Sequence, residues 1–249
     1  MISLRSRREI EFIKVAAKIS AQALKLAGEF CVEGISTWEI DRRILEFIES
    51  EGATSNFLNY GGYPAASCIS VNDIVIHGVP SKNVILKRGD VVSVDVGANF
   101  EGYNGDNAYT FVVGEVSDEI SKLLRVTKNS LKKGIENAIV GNRIGDISSA
   151  IEQSIQPYGY GIVKEFVGHG VGQKLHEDPE IPNYGVAHKG PRIEAGMVFA
   201  IEPMVNLKLP DVVIDEGEWE VKTVDGAVSA HFEHTVLVTT SGPEILTKC

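Results

Sequence analysis

The fold is decided by one stretch, Gly89-Asp-Val-Val-Ser-Val-Asp-Val-Gly-Ala-Asn-Phe-Glu-Gly-Tyr-Asn-Gly-Asp106. Its β-branched, apolar start predicts a strand over Val91–Val96, and this strand carries the acid Asp95. The pair Glu101-Gly102 indicates a hairpin turn. A hairpin that is symmetric about this pair is expected to set Asp95 opposite Asp106, with Cβ atoms about 5 Å apart. Two buried carboxylates at that distance repel each other unless a metal ion or a proton lies between them.

The same pattern recurs in the second half of the chain. The segment Gly196-Met-Val-Phe-Ala-Ile-Glu202 again places an acid six residues after a glycine, at the end of an apolar strand. A His-Gly pair precedes each acid, at His77 and His169, and a further acid follows each, at Asp106 and Glu233. A short match between apolar strands can arise by chance, but here histidine, acid and acid recur in the same order. We therefore expect one domain over residues 1–249, built from two similar halves of approximately 1–115 and 116–249.

Helical and strand-like patterns follow the order that such a duplication requires. Apolar residues recur every three or four positions from Ile10 to Leu24, which predicts the first helix. Ser36 with Glu39 indicates a capping box before the second helix. Ser117, Asp118 and Glu119 are predicted to open the third helix, and Asp146 to cap the fourth. Strands are predicted at Cys68–Ile76, Val91–Val96, Tyr109–Val113, Gly161–Val167, Met197–Val205, Val212–Ile214 and Thr235–Val238. This order indicates an α+β fold.

Composition narrows the class of protein. The formal net charge of -10 argues against nucleic acid as a specific partner, because such proteins present a concentrated basic surface. The three cysteines, Cys31, Cys68 and Cys249, are odd in number and widely spaced, which favours a reducing compartment over a disulfide framework. No apolar run approaches the ~18 residues that a membrane span needs. We therefore expect a soluble, cytoplasmic protein that does not bind membranes.

The acids and one histidine predict a metal site. Asp95, Glu202 and Glu233 lie in apolar strand surroundings, where a carboxylate is rarely buried unless it is paired or binds a cation. Salt bridges, or a structural histidine, would explain any one of these residues taken alone. Together they suit two divalent ions that share carboxylates and activate water for hydrolysis. Oxygen-rich ligation favours manganese, iron, cobalt or magnesium over a thiolate zinc site. The five predicted ligands are Asp95, Asp106, His169, Glu202 and Glu233.

Six short blocks resemble the signature of the type I methionine aminopeptidases. The blocks are His77-Gly-Val-Pro, Asp95, Gly105-Asp106, Gly168-His-Gly-Val-Gly, Ile201-Glu-Pro-Met and Phe232-Glu-His-Thr. The likeness extends from about Ile10 to about Leu246, and the joint order of the blocks is specific. It implies a pita-bread fold, in which a curved antiparallel sheet is backed by two helix pairs with pseudo-two-fold symmetry. It also implies removal of the N-terminal methionine, with preference for a small second residue.

The resemblance gives each predicted ligand a role. Asp106 and Glu233 are expected to bridge two metal ions, Asp95 to complete one metal site, and His169 with Glu202 to complete the other. Glu202 is also expected to act as the general base. The implied cofactors are two divalent ions, with manganese, iron(II) and cobalt preferred and zinc also compatible.

Two further histidines receive roles from the resemblance as catalytic and substrate-binding residues. His77 is expected near the scissile amide, where it assists proton transfer. His176 is expected to hydrogen-bond the carbonyl oxygen as it becomes an oxyanion. Without the resemblance, His176 in Lys-Leu-His-Glu-Asp-Pro would be an ordinary loop histidine. The other histidines, His188, His231 and His234, are interpreted as structural or surface residues.

Aromatic residues and a thiol predict the methionine pocket. A flexible thioether is well matched by dispersion and sulfur–aromatic contacts. The alternative is an aromatic loop that only packs on the core. The predicted pocket residues are Tyr60, Tyr63, Cys68, Trp219, Phe57 and Leu175.

Three positions depart from the family pattern. Asn104 stands where histidine is usual, Asn107-Ala108 replaces a Thr-Ser pair, and Phe57 occupies a position where cysteine is common. None of these changes removes a predicted ligand. They affect the surroundings of the metal site and the shape of the pocket.

Three other interpretations are compatible with parts of the pattern. An Xaa-Pro aminopeptidase or prolidase would share the fold but is expected to carry a further N-terminal domain. A silent relative that binds ribosomes or RNA is expected to have lost ligands, and a structural acidic-strand protein would need no histidine–acid–acid repeat. The expected partners are nascent polypeptides and Met-initiated peptides, with proximity to the ribosome, for a monomeric enzyme.

Overall fold

The structure is a computed structural model that describes residues 2–248, so Cys249 lies outside the described residues. Within this range the chain forms two helix pairs, one in each half of the sequence. Their bounds are α1 Arg7–Phe30, α2 Thr37–Ser50, α3 Asp118–Glu136 and α4 Ile144–Ile155. No helix among the described residues is both long enough and apolar enough to cross a bilayer.

Serine residues cap three of the four helices, and Ser6 caps α1 with a complete capping box that includes Glu9. The Ser36 hydroxyl accepts a hydrogen bond from the Glu39 N–H (3.2 Å), as the sequence predicts, and Ser117 caps α3 in the same way. The carboxylate of Glu39 instead binds Arg42 (2.8 Å), so the predicted capping box is only half formed. The hydroxyl cap alone satisfies one free N–H group of the helix end.

The predicted cap of α4 is wrong by one turn. The helix begins at Ile144, so Asp146 lies inside its first turn and not at the cap. Its carboxylate accepts hydrogen bonds from the N–H groups of Arg143 (2.8 Å) and His188 (2.9 Å). An acid in the first turn still interacts favourably with the helix dipole.

The strands form four antiparallel sheets. In the first half they are β1 Thr54–Ser55, β2 Ser67–Val71, β3 Ile74–Ile76, β4 Val91–Phe100 and β5 Tyr103–Val112. In the second half they are β6 Gly161–Ile162, β7 Gly168–Gly170, β8 Glu177–Ile181, β9 Val198–Ile201, β10 Met204–Asn206, β11 Val212–Ile214, β12 Val221–Thr223, β13 Ser229–His231, β14 His234–Thr239 and β15 Gly242–Ile245. In the first sheet, β4 pairs with β5 along one edge and with β2 and β1 along the other. The other sheets have the orders β15-β14-β9-β7-β8, β13-β10-β6 and β11-β12-β3.

Three predicted strands are shorter than the sequence indicates. The stretch Cys68–Ile76 divides into β2 and β3 because the chain turns at Asn72, where φ is 58°. The stretch Met197–Val205 is interrupted at Glu202-Pro203, since proline has no N–H to donate to a ladder. Only two residues of Gly161–Val167 form a strand.

The β4–β5 hairpin turns at Glu101-Gly102, as predicted, but the expected pairing of its two acids is wrong. Asp95 pairs with Ala108, and Asp106 pairs with Gly97. Residues two positions apart on a strand share a face, so the two acids are diagonal neighbours on one side of the hairpin. The two acids are therefore neighbours, as predicted, although the strand register differs from the predicted one.

Each helix pair packs on its own sheet through a separate core. In the first core, Ile44 of α2 packs with Val94 of β4, and in the second, Ile151 of α4 packs with Phe199 of β9. The strands that carry the acids begin alike, because Gly89 and Gly196 both have φ of 93°. Each glycine N–H donates to the far strand, to the carbonyls of residues 113 (2.8 Å) and 238 (2.9 Å). The β4–β5 and β9–β14 strand pairs thus share one local geometry where their acid-bearing strands begin.

Candidate active site

Five buried or nearly buried side chains, the five ligands that the sequence predicts, converge where the two halves meet. We call this set the ligand cluster. Strands β4, β5 and β7 contribute Asp95, Asp106 and His169, while Glu202 directly follows β9 and Glu233 lies between β13 and β14. Because every member is on a strand or beside one, backbone ladders fix the positions of all five.

Ladder contacts also join the two halves of the cluster directly. The Glu233 N–H donates to the Ala108 carbonyl (2.9 Å). The Thr235 hydroxyl accepts from the Asp106 N–H (2.9 Å) and lies 2.7 Å from the Asp106 carbonyl oxygen. These bonds tie the backbone of Asp106, in the first half, to the strand that follows Glu233 in the second.

The donor atoms of the ligand cluster suit a metal ion. One ligand atom from each of Asp106, His169 and Glu233 lies within 4.8 Å of the other two. Three carboxylate oxygens are buried and find no hydrogen-bond donor among the described residues: Asp95 Oδ1, Asp106 Oδ1 and Glu233 Oε1. A buried acceptor without a partner is costly, and bound cations would satisfy such oxygens.

Burial makes the charges of the cluster costly without such a cation. Burial raises the pKa values of Asp95, Glu202 and Glu233 well above their ordinary values, and the neighbouring carboxylates raise them further. The pKa of Asp106 is raised chiefly by burial as well. A divalent ion between these groups would lower the pKa values of the four acids and so favour their ionised forms.

The imidazole of His169 is held in its neutral form. Its Nδ1–H donates to the Gly170 carbonyl (2.9 Å), which leaves Nε2 without a proton. Burial lowers the pKa of His169 to about 3, so its approach to Glu202 Oε1 (3.5 Å) is not an ion pair. Two electron-pair donors therefore face each other across a gap, which is the arrangement that a cation fills.

The two other predicted catalytic histidines lie beside the cluster. His77 has φ of 59°, a left-handed conformation that is rare outside glycine and asparagine and often marks functional sites. Its ring meets Phe166 edge-on with centroids 5.6 Å apart. The His176 ring lies 4.2 Å from that of His169, and its Nδ1 is 2.8 Å from the Tyr60 hydroxyl.

One cavity of about 320 Å³ connects the ligand cluster to the predicted pocket. All thirteen predicted site residues line it: Phe57, Tyr60, Tyr63, Cys68, His77, Asp95, Asp106, His169, Leu175, His176, Glu202, Trp219 and Glu233. Cys68 lies directly opposite Asp95 on β2, so the thiol borders the metal site. Tyr63 meets Trp219 edge-on with centroids 5.4 Å apart, and its hydroxyl lies 2.9 Å from the Gly78 carbonyl.

Five further residues line the cavity but were not predicted from the sequence. They are Ile76, Glu165, Phe166, Val167 and His231. His231, which the sequence left as a structural or surface residue, is not at the surface, since its side chain is buried beside Glu202. The signal available for Phe166 and Val167 was their position just before the Gly-His-Gly block.

At two of the three departures from the family pattern, the substituted asparagine side chain makes hydrogen bonds within the protein. The Asn104 amide donates to the carbonyls of Gly172 (2.9 Å) and Gln173 (3.1 Å), so it holds the loop that leads to His176. Asn107 hydrogen-bonds Ser20 of α1. Both side chains are buried and act at the edge of the ligand cluster without entering it.

Comparison with known proteins agrees with this geometry. The model of metallopeptidase family M24 matches residues 11–240. A methionine aminopeptidase of Clostridium acetobutylicum is 46% identical over 249 residues, all of both chains, and one of Clostridium perfringens is 49% identical over 248 residues, 99% of each. The crystal structure of methionine aminopeptidase from Thermotoga maritima has a TM-score of 0.98, with 44% identity and full coverage of both chains. Prolidase from Pyrococcus furiosus has a TM-score of 0.80 at 28% identity, but only 65% of its chain is covered.

The fold and the buried metal-type site define the class, since the chain belongs to metallopeptidase family M24. The predicted α+β pita-bread fold is confirmed by these neighbours. Within the family, the chain belongs to the methionine aminopeptidases, which match it over their whole length.

Proposed function

We propose that this chain hydrolyses the first peptide bond of polypeptides that begin with methionine, and that the ligand cluster and the histidines beside it carry out the reaction. The chain is a metal-dependent methionine aminopeptidase with preference for a small second residue. The observation that carries the proposal is the ligand cluster, in which three buried carboxylate oxygens without partners lie beside a histidine held in its neutral form.

Two divalent ions fit this donor set. Asp106 and Glu233 would bridge them, Asp95 would complete one site, and His169 with Glu202 would complete the other. Manganese, iron(II) and cobalt suit ligands that are mostly carboxylates, and zinc is compatible. When bound, the ions supply Lewis acidity to the scissile carbonyl and make water acidic enough to lose a proton near neutral pH.

The residues around the cluster move protons and orient the substrate. Glu202 accepts the proton of the attacking water, while His77 assists proton transfer at the scissile amide. His176 donates Nε2–H to the carbonyl oxygen as negative charge develops there. For this, Nδ1 of His176 must be an acceptor, and the Tyr60 hydroxyl 2.8 Å away is placed to donate to it.

The cavity beside the cluster binds the methionine side chain. Tyr60, Tyr63 and Trp219 supply aromatic surface, and Cys68 a polarisable sulfur; Phe57 and Leu175 close the apolar end. Dispersion and sulfur–aromatic contacts favour a thioether over a polar side chain of similar length. The free α-amino group is expected to bind at the metal ions, which explains action at a chain terminus.

The cellular setting follows from this reaction. We infer a cytoplasmic monomer whose substrates are nascent polypeptides close to the ribosome, and whose two halves form a single catalytic domain over residues 1–249. Expression with a fluorescent tag and analytical ultracentrifugation test the first two inferences directly.

The decisive experiment is a metal add-back assay. The purified protein is stripped with a chelator, and methionine release from Met-Ala-Ser and Met-Pro peptides is measured with manganese, cobalt, iron(II) or zinc, beside Xaa-Pro controls. We expect restored cleavage of Met-Ala-Ser that is lost in Asp106→Ala and His77→Ala. His188→Ala is the matched control, because that imidazole is 88% exposed.

Each other outcome has a clear meaning. A folded protein that cleaves no peptide with any metal would contradict the proposed enzyme and favour a binding module. Cleavage of Xaa-Pro peptides alone would keep the metal site and overturn the methionine specificity.

A further inference from the structure

His231 is the one buried histidine of the cavity that the mechanism above does not use. It ends β13 and is 2% exposed. The Thr110 hydroxyl accepts from its N–H (2.9 Å) and donates to its carbonyl (2.7 Å), so the backbone is fixed on both sides. The imidazole is therefore carried by a rigid element and cannot easily turn away from the cavity.

The ring nitrogen that enters the site has no hydrogen-bond partner. Nε2 of His231 is buried and unpaired among the described residues, and it lies 3.6 Å from Glu202 Oε2. A buried nitrogen without a partner is destabilising, so a neighbouring group that can accept a hydrogen bond from it would stabilise the site.

That neighbour is Glu202, whose carboxylate makes no hydrogen bond among the described residues. Its two oxygens face two different imidazoles, since Oε1 lies 3.5 Å from His169 Nε2 and Oε2 lies 3.6 Å from His231 Nε2. His169 has no proton on that nitrogen, because its Nδ1–H is used by Gly170. His231 is thus the only one of the two that can donate to Glu202.

We propose that His231 is a positioning residue for Glu202. Its Nε2–H donates to Oε2 and fixes the rotation of the carboxylate, which leaves Oε1 directed at His169 and the ligand cluster. The inference rests on the proposed function, since it assigns to Glu202 the roles of ligand and general base. His231 contacts neither substrate nor metal in this scheme and acts only through Glu202.

The test compares three substitutions of His231 that differ in the donor. His231→Leu keeps much of the volume and removes the donor. His231→Gln places an amide N–H near the position of Nε2. His231→Asn keeps an amide that is too short to reach Oε2, and it provides a second test if the leucine variant does not fold.

The matched control is His234→Leu. His234 lies on the other side of Glu233 and its ring is bonded to the Thr247 hydroxyl (2.9 Å), away from Glu202. It therefore removes an imidazole next to the same predicted ligand without touching the Glu202 carboxylate. Thermal unfolding of every variant establishes that it is folded.

Two measurements are made on each variant. Steady-state cleavage of Met-Ala-Ser gives kcat and KM, and calorimetric titration of the metal-free protein with Mn²⁺ gives metal affinity without any turnover. In His231→Leu and His231→Asn we expect kcat to fall about 10–100-fold and Mn²⁺ affinity to fall about tenfold, with KM little changed, as for other groups that orient a ligand. His231→Gln should recover kcat to within about threefold of the parent, as the restored donor predicts.

Three results would overturn the proposal. His231→Leu could match the parent in both measurements, His231→Gln could be as impaired as His231→Leu, or His234→Leu could be impaired to the same degree. Failure of the proposed function is distinct, because the unsubstituted protein itself would then cleave nothing. Calorimetry would still decide whether His231 affects the metal site.

Discussion

Asp95 and Asp106 lie two residues out of register across the β4–β5 hairpin, so their side chains are diagonal neighbours on one face. Each acid is opposite a residue with little or no side chain, because Ala108 faces Asp95 and Gly97 faces Asp106. The two carboxylates still lie close enough that Asp106 raises the pKa of Asp95. A Cβ on Gly97 would lie 1.8 Å from Asn56 Oδ1, so the small residue is required by packing.

On the opposite face of the same hairpin, the close packing of Gly105 against α1 predicts that one added methyl group is destabilising. A Cβ at Gly105 would lie 2.3 Å from the backbone of Ala17 in α1, and backbone atoms cannot move aside as a side-chain tip can. We expect Gly105→Ala to lower the free energy of unfolding by about 1–3 kcal/mol or more. Chemical denaturation measures this loss.

Gly102→Ala is the control for that prediction. Gly102 lies at the hairpin turn with open space around it, so only its φ of +81° opposes a side chain. The cost there should be about 1 kcal/mol. Equal stability of Gly105→Ala and the parent would show that α1 does not pack as closely on β5 as the structure has it.

Sequence reasoning succeeded where local patterns determine structure. Helical spacing predicted α1 and α2, and the Glu101-Gly102 turn predicted the long hairpin. Acids in apolar strands predicted the ligand cluster because a buried charge needs a partner wherever the strand lies.

One error was local, since the expected partner of Asp95 was wrong by two residues, and counting outward from Glu101-Gly102 gives Ala108. The other failures occurred where proximity depends on long-range packing. His231 belongs to a three-residue strand, which is too short for its alternation to show which face is buried. His176 was predicted only from the family resemblance, since nothing local distinguishes a loop histidine that folds back onto His169.

The hydrogen bonds of Asn104 predict that this side chain stabilises the loop that carries His176. Its amide donates to two carbonyls of that loop, so Asn104→Asp would replace a donor by an acceptor of the same shape. We expect a loss of about 1–3 kcal/mol in the free energy of unfolding, because two buried carbonyls would then lose a donor and face a carboxylate. Urea denaturation of this variant and of Asn99→Ala, which loses only the neighbouring amide, separates the two effects.

A loosened loop should also lower activity, because the loop orients Leu175 and His176 at the cavity. Asn104→Asp should therefore lose more activity than Asn99→Ala when methionine release is measured. If Asn104→Asp unfolds at the same urea concentration as the parent, the loop does not depend on this side chain.

The Tyr60 hydroxyl is predicted to select the tautomer of His176. It lies 2.8 Å from His176 Nδ1, and burial lowers the pKa of His176, so the neutral ring needs a donor there to keep its proton on Nε2. Loss of one such hydrogen bond is worth about 1 kcal/mol, so we expect about a fivefold lower kcat in Tyr60→Phe. Cleavage of Met-Ala-Ser measures it, with Tyr158→Phe as an exposed control. An unchanged kcat in Tyr60→Phe would mean that another group orients His176.

Removal of the metal ions should change how stability depends on pH. In the metal-free protein, burial raises the pKa of Asp106 from 3.8 to about 7 and raises those of Asp95, Glu202 and Glu233 as well. Buried histidines act in the opposite sense below about pH 6.5, because their lowered pKa values leave them neutral in the folded form while the unfolded chain protonates them. Above about pH 7 the histidines are neutral in both states, so the folded metal-free form binds more protons than the unfolded chain through its raised acids. Its stability therefore falls as pH rises above about 7 through the folded pKa values of the acids, by about 1.4 kcal/mol per pH unit for each full extra proton.

Metal ions bind the deprotonated ligands, so their stabilising effect must grow over the same window. Between about pH 7 and pH 8.5 we expect the Tm of the chelator-treated protein to fall and the increase in Tm on addition of Mn²⁺ to become larger. A stability change of 1 kcal/mol corresponds to about 2–4 °C in a chain of this size, which differential scanning calorimetry resolves. Parallel Tm curves for the metal-free and the Mn²⁺-loaded protein would show that the buried carboxylates are not the ligands, because their protonation would then be independent of the metal.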